Sequence, residues 1–91
     1  MAYVIVTMNV RLETPDTNPE IVKDMIKATV EEFGGDELRQ EVEEIAFGLK
    51  QLKIMFVLDE QKSNLDPLED SLKDLDGVSS TEIIQVGRTL G

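Results

Sequence analysis

The residues best suited to contact another molecule lie close together in the sequence: Phe47, Gly48, Lys50 and Lys53. No aspartate or glutamate falls within residues 45–58, although the chain carries 19 acidic and 9 basic residues. An aromatic residue beside a glycine offers apolar surface at a bend of the chain, and the lysines add positive charge. These residue types predict a contact surface and not a catalytic centre.

The chain contains neither histidine nor cysteine. Histidine is the commonest general base and metal ligand, and cysteine is required for disulfides and thiolate metal sites. Any catalysis would therefore depend on carboxylates, lysines or hydroxyls. The carboxylates fall on helix faces and in loops without the spacing of a cation-binding loop, so we interpret them as solvated surface. We expect no catalytic residue, no bound metal and no cofactor.

The net charge of −10 argues against direct binding to nucleic acid, which depends on basic side chains that neutralise phosphates. This acidity is typical of a highly soluble protein, and it could also attract a basic partner. The N-terminal residues lack the charged region and cleavage site of a signal peptide. No apolar run approaches the ~20 residues that a membrane span needs. We therefore expect a cytoplasmic protein without membrane contact.

Hydropathy patterns predict the elements that position these residues. Apolar and polar residues alternate over residues 4–12, which indicates a strand with one core-facing side. A helix should follow, with Asn18 as its N-cap and Gly34 and Gly35 at its end. A second helix should begin with Asp66 as its cap and end at Gly77.

The remaining strands differ in character. Within residues 36–48 the apolar positions change parity at residues 43–44, which predicts an edge strand with either a bulge or a late start there. Residues 52–58 are apolar on both faces and should form a central strand beside the first one. The last strand is predicted over residues 81–86, and Arg88 is the only charged residue after Ile83.

The resulting order, β-α-β-β-α-β, predicts a single domain over residues 1–91 of the α+β class. It is the order of a ferredoxin-like sandwich, with a four-stranded antiparallel sheet and two helices on one face. Phe47 then lies at the turn between the second and third strands. It could be a core residue at the end of the sheet or a contact residue. If this turn and the C-terminus lie close together, Phe47 and Arg88 would share one surface.

Three segments resemble the archaeal elongation factor 1-beta family: VIVTMNV at residues 4–10, IAFGLKQLK at 45–53 and STEI at 80–83. The resemblance covers essentially the whole chain, and the family is similar to the C-terminal nucleotide-exchange domain of the eukaryotic beta subunit. It implies a translation factor without enzymatic activity. That factor would promote exchange of GDP for GTP on elongation factor 1-alpha, the GTPase that delivers aminoacyl-tRNA to the ribosome.

The resemblance also implies roles for individual residues. In the eukaryotic relatives the matching phenylalanine inserts into the GTPase, which assigns Phe47, with Gly48, Lys50 and Lys53, to partner contact. A lysine near the C-terminus of those relatives enters the Mg²⁺ and phosphate-loop region, and Arg88 falls at the corresponding place. We expect a monomer when the protein is free. The alternative is a regulatory domain that binds a small ligand or self-associates through its open sheet face.

Overall fold

The computed structural model describes residues 2–62 and 64–90 of the chain. Met1, Ser63 and Gly91, which the predicted domain of residues 1–91 includes, lie outside the described residues. The elements follow the predicted order: β1 (Ala2–Leu12), α1 (Pro19–Phe33), β2 (Asp36–Ala46), β3 (Leu49–Asp59), a 3-10 turn (Glu60–Lys62), α2 (Asp66–Lys73) and β4 (Val78–Leu90). Within the described ranges, no helix is both long enough and apolar enough to cross a membrane.

The four strands form one sheet in the order β2-β3-β1-β4, with every neighbouring pair antiparallel. The two most apolar strands, β1 and β3, lie at the centre, and β2 lies at an edge as its sequence predicts. Central strands are paired along both sides and lie over the middle of the core, so they can carry apolar residues on both faces. The predicted ferredoxin-like α+β fold is confirmed.

One core lies between the sheet and the two helices. The even-numbered residues within 4–12 of β1 and 52–58 of β3 are buried in it, together with a stripe from each helix: Val22, Ile26 and Val30 from α1, and Leu68 and Leu72 from α2. Burial of each such side chain contributes roughly 1.5–3 kcal/mol. On the other face of the sheet Ile5 and Met55 stay partly exposed. Both helices therefore cover one face and leave the second open.

The ends of α1 follow the predicted cap residues. The side-chain oxygen of Asn18 accepts a hydrogen bond from the backbone N–H of Glu20 at 3.0 Å. Gly34 has a φ of +107° and closes the helix in the left-handed conformation, donating its N–H to the carbonyls of Val30 and Glu31. These local signals are sufficient to set both ends of the helix.

The predicted ends of α2 are wrong. Asp66 is the first residue of the helix and not its cap, while the side chain of Asn64 accepts a hydrogen bond from the Asp66 N–H at 3.3 Å. Leu65 occupies the cap position because its side chain is buried in the core. The helix ends at Lys73, well before Gly77, which forms the turn into β4 with a φ of +91°.

Two strand predictions also need correction. β4 runs over Val78–Leu90 instead of residues 81–86, because it pairs with β1 along almost the whole length of that strand. The predicted bulge in β2 is present but lies between Glu44 and Ala46, one position later than expected, and leaves Ile45 unpaired. Strand length and register thus depend on the pairing partner as well as on the local pattern.

Candidate functional site

β2 and β3 are joined by a two-residue turn, Phe47-Gly48, across which Ala46 pairs with Leu49. Phe47 has a φ of +52° and Gly48 a φ of +80°. Positive φ at both central positions is the pattern of a type I′ turn, whose twist matches that of the flanking strands. Glycine adopts this conformation without steric penalty, whereas for other L-residues it costs roughly 1–2 kcal/mol. Phe47 is therefore held in an unfavourable backbone conformation.

The ring of Phe47 does not pack against the rest of the chain. Its exposed fraction is 99%, the highest among the large apolar residues that the structure describes. The interpretation of Phe47 as a core residue at the end of the sheet is therefore wrong. Unfavourable backbone conformations of non-glycine residues concentrate at binding and catalytic sites, so this geometry supports a functional hypothesis.

Lys50 and Lys53 lie on β3 just after the turn. Because side chains alternate along a strand, they point to opposite faces of the sheet, and Lys53 shares the open face with Met55. Lys50 lies opposite Glu44 and Lys53 opposite Glu41 on the neighbouring strand. Glutamates thus lie opposite both lysines across the strand pair and lower the local positive potential, although neither lysine is within ion-pair distance of them.

Arg88 lies at the other end of the sheet. It is opposite Val4 on β1, and Val4 is in turn opposite Leu58 on β3. The run from Leu49 to Leu58 spans about 30 Å at roughly 3.3 Å per residue. Arg88 also forms an ion pair with Glu60 in the 3-10 turn. The structure therefore does not bring Arg88 and Phe47 onto one surface.

Arg11, a cation near the Phe47-Gly48 turn, was not predicted as a contact residue. Arg11, at the end of β1, lies opposite Gln51 on β3 and Ser80 on β4. It lines a surface depression of about 290 Å³ together with Ile45 and Leu49, which flank the turn. The antiparallel pairing of the two central strands was the available signal, because it places the end of β1 beside the start of β3.

The geometry of this end of the molecule suits mechanical insertion. The Phe47 ring is solvated, so a partner that encloses it gains the full free energy of burial, about 2–3 kcal/mol. Gly48 is needed at the turn for its backbone and not for space, since an added Cβ would meet only Pro15, at 3.7 Å. Across residues 2–62 and 64–90, no group of three or more carboxylates is arranged to hold a metal ion.

Solved structures with the same architecture confirm the fold. The chain is similar to LarC2, the C-terminal domain of a cyclometallase, with a TM-score of 0.67 and 10% identity over 99% of this chain and 58% of the other. It is also similar to the ACT domain of the GTP pyrophosphokinase of Chlorobium tepidum, with a TM-score of 0.57 and 21% identity over 88% and 96% of the two chains. At such low identities these similarities concern the fold alone.

Sequence comparison is more specific. The chain is 36% identical to elongation factor 1-beta of Methanococcus vannielii over 94% of this chain and 97% of that protein. It is also 36% identical to elongation factor 1-beta of Methanothermobacter thermautotrophicus over 99% of this chain and the full length of that protein. The family model described as the EF-1 guanine nucleotide exchange domain matches residues 5–89. The chain therefore belongs to the EF-1 guanine nucleotide exchange domain family.

Proposed function

We propose that this protein is a guanine-nucleotide exchange factor that promotes replacement of GDP by GTP on elongation factor 1-alpha. The observation that carries the proposal is the fully exposed Phe47 ring, held at positive φ in a two-residue turn. Family membership supports the same role. Exchange breaks no covalent bond, so the reaction requires neither a general base nor a nucleophile, in agreement with a chain that lacks histidine and cysteine.

The mechanism follows from linkage. A protein that binds the nucleotide-free GTPase more tightly than the loaded form lowers the affinity for nucleotide by the same factor. If the pocket for Phe47 opens only when the nucleotide leaves, its burial supplies about 2–3 kcal/mol of this difference, which is roughly 30- to 160-fold. The short turn limits the movement of the backbone at Phe47 before binding, so little backbone conformational entropy is lost when the complex forms.

Arg88 has a separate role in this proposal. A cation placed near the Mg²⁺ site of a GTPase competes electrostatically with the metal that holds the phosphates. Because Arg88 and the Phe47 turn lie at opposite ends of the sheet, a GTPase that contacts both must extend along the length of the domain, whose longest dimension is 42 Å. Arg88 would then exchange or share its ion pair with Glu60 when the complex forms.

Release of a fluorescent GDP analogue from elongation factor 1-alpha tests the proposal. We expect the wild-type protein to accelerate release, and we expect Arg88→Gln to reduce the acceleration about tenfold, the effect of losing one charge-assisted contact. The loss should grow as the Mg²⁺ concentration rises, because the variant lacks the cation that would compete with the metal for the phosphates. If the wild-type protein does not accelerate release, the proposed function is wrong. A loss that is independent of Mg²⁺ would contradict the role of Arg88 alone.

A second candidate is a regulatory domain that self-associates through its open sheet face, and the partly exposed Ile5 and Met55 on that face favour it. The net charge of −10 opposes association of two copies. We therefore expect sedimentation equilibrium to show a monomer at all accessible concentrations. A dimer that Met55→Glu dissociates would instead favour the second candidate.

A further inference from the structure

We propose that Arg11 and Ile45 extend the Phe47 contact into one docking surface, here called the turn-end surface, which consists of Arg11, Ile45 and Phe47. The inference rests on the proposed function, since its partner is the same GTPase. The partner region that it fits has an apolar pocket for Phe47 and Ile45. Beside that pocket we expect a carboxylate that accepts hydrogen bonds from the guanidinium of Arg11.

Ile45 is exposed because of a break in the strand register. Glu44 lies opposite Lys50 and Ala46 opposite Leu49, so Ile45 is the extra residue of the bulge. Bulges redirect side chains and are common beside binding sites. The Ile45 side chain is 44% exposed, two positions before Phe47. The bulge thus adds an aliphatic side chain to the aromatic one at the same end of the sheet.

Arg11 differs from the two lysines in its cross-strand neighbours. Both of its neighbours, Gln51 and Ser80, are uncharged. The amide of Gln51 donates to the Glu43 carboxylate at 3.0 Å, and among the described residues no ion pair joins Glu43 to Arg11.

Within the described parts of the chain the ion pairs are Lys23–Glu20 and Arg88–Glu60, and Arg11 takes part in neither. Its charge is therefore available to a partner. The planar guanidinium also matches a carboxylate with two parallel hydrogen bonds.

A depression of about 290 Å³ joins two residues of the turn-end surface, Arg11 and Ile45. Arg11 and Ile45 both line it, together with Glu13, Ala46 and Leu49. Phe47 does not line the depression, but it lies in the turn between the lining residues Ala46 and Leu49. Glu13 is the one carboxylate in the lining, and it does not form an ion pair with Arg11. Phenylalanine and arginine are both enriched in protein interfaces, and arginine is among the residue types that carry most of the binding free energy.

The test measures binding of the full chain to elongation factor 1-alpha through accelerated release of the fluorescent GDP analogue at low and high salt. Arg11→Gln should lower the association rate roughly three- to tenfold at low salt and weaken its salt dependence. Ile45→Thr keeps β-branching and should lower the affinity roughly three- to tenfold with an unchanged salt dependence. Arg11→Lys should restore the salt dependence while recovering only part of the affinity.

Two matched variants serve as controls. Lys27→Gln makes the same charge change on an exposed position of α1, and Val42→Thr changes a residue of β2 with a similar exposed fraction of 40%. Both should stay within about twofold of the wild type. If Arg11→Gln and Ile45→Thr behave like these controls while Phe47→Ala impairs exchange, the turn-end surface is overturned and the proposed function stands. If the wild type accelerates nothing, both proposals fail together.

Discussion

Replacement of Phe47 by asparagine should remove most of the exchange activity and at the same time make the fold more stable. Asparagine followed by glycine is the preferred pair for a type I′ turn, because asparagine tolerates positive φ far better than phenylalanine does. Relief of the φ of +52° should raise the free energy of unfolding by about 1 kcal/mol. The fully exposed ring makes no packing contribution that the substitution would remove. Exchange should fall roughly 30- to 160-fold, the factor assigned to burial of the ring.

Urea unfolding and release of the fluorescent GDP analogue measure the two effects of Phe47→Asn separately. Phe47→Ala is the matched control, since it removes the ring but leaves a residue that also disfavours positive φ. The alanine variant should lose exchange to the same extent and gain little stability. Undiminished exchange in either variant would refute Phe47 as a contact residue. A less stable asparagine variant would contradict the assigned turn geometry.

Substitution of Phe56 by alanine should have the opposite profile, a large loss of stability. Phe56 lies opposite Val6 on β1, is 1% exposed and is among the largest fully buried side chains of the core. Its ring packs so closely against Gly35 that an added Cβ there would lie 3.1 Å from the ring. Truncation of a buried phenylalanine costs about 3–5 kcal/mol through lost burial and the remaining cavity. That is a large part of the roughly 5–15 kcal/mol typical of a folded domain.

The comparison of Phe56→Ala with Phe47→Ala uses the same chemical change at two positions on neighbouring stretches of the chain. Urea unfolding, monitored by circular dichroism, should show a much lower free energy of unfolding for Phe56→Ala. For Phe47→Ala the free energy of unfolding should stay within about 0.5 kcal/mol of the wild type. At a temperature where Phe56→Ala remains folded, it should retain the exchange activity per folded molecule. Equal losses of stability in the two variants would show that Phe47 packs against the fold, contrary to its exposure.

Strand and helix type could be predicted because those signals are local. The alternation in β1 and the stripe of α1 arise from the way side chains partition between core and water within one element. The cap of α1 is similarly local, since Asn18 contacts an amide two residues away. The predicted start of α2 was wrong because two residues, Asn64 and Asp66, suit an N-terminal cap. Neither of them takes the cap position, which Leu65, buried in the core, occupies instead.

The candidate site was predictable in part for the same reason. A phenylalanine followed by glycine between two apolar strands indicated the turn, and the resemblance indicated its role. The pattern placed Lys50 and Lys53 in a contact surface, yet both lie opposite glutamates in the strand pair. Arg11 went unnoticed because its neighbours, Gln51 and Ser80, are distant in sequence and adjacent only through the sheet.

The sequence alone thus determined the order of elements, the two central strands, the α1 cap and the position of Phe47 at the turn between β2 and β3. Tertiary structure decided the length of β4, the exposure of Phe47, the cross-strand neighbours of each cation and the separation of Arg88 from the turn. The physical reason is the range of the interactions. Periodicity and capping act within a few residues, whereas register and exposure depend on which strands pair and on what the core leaves uncovered.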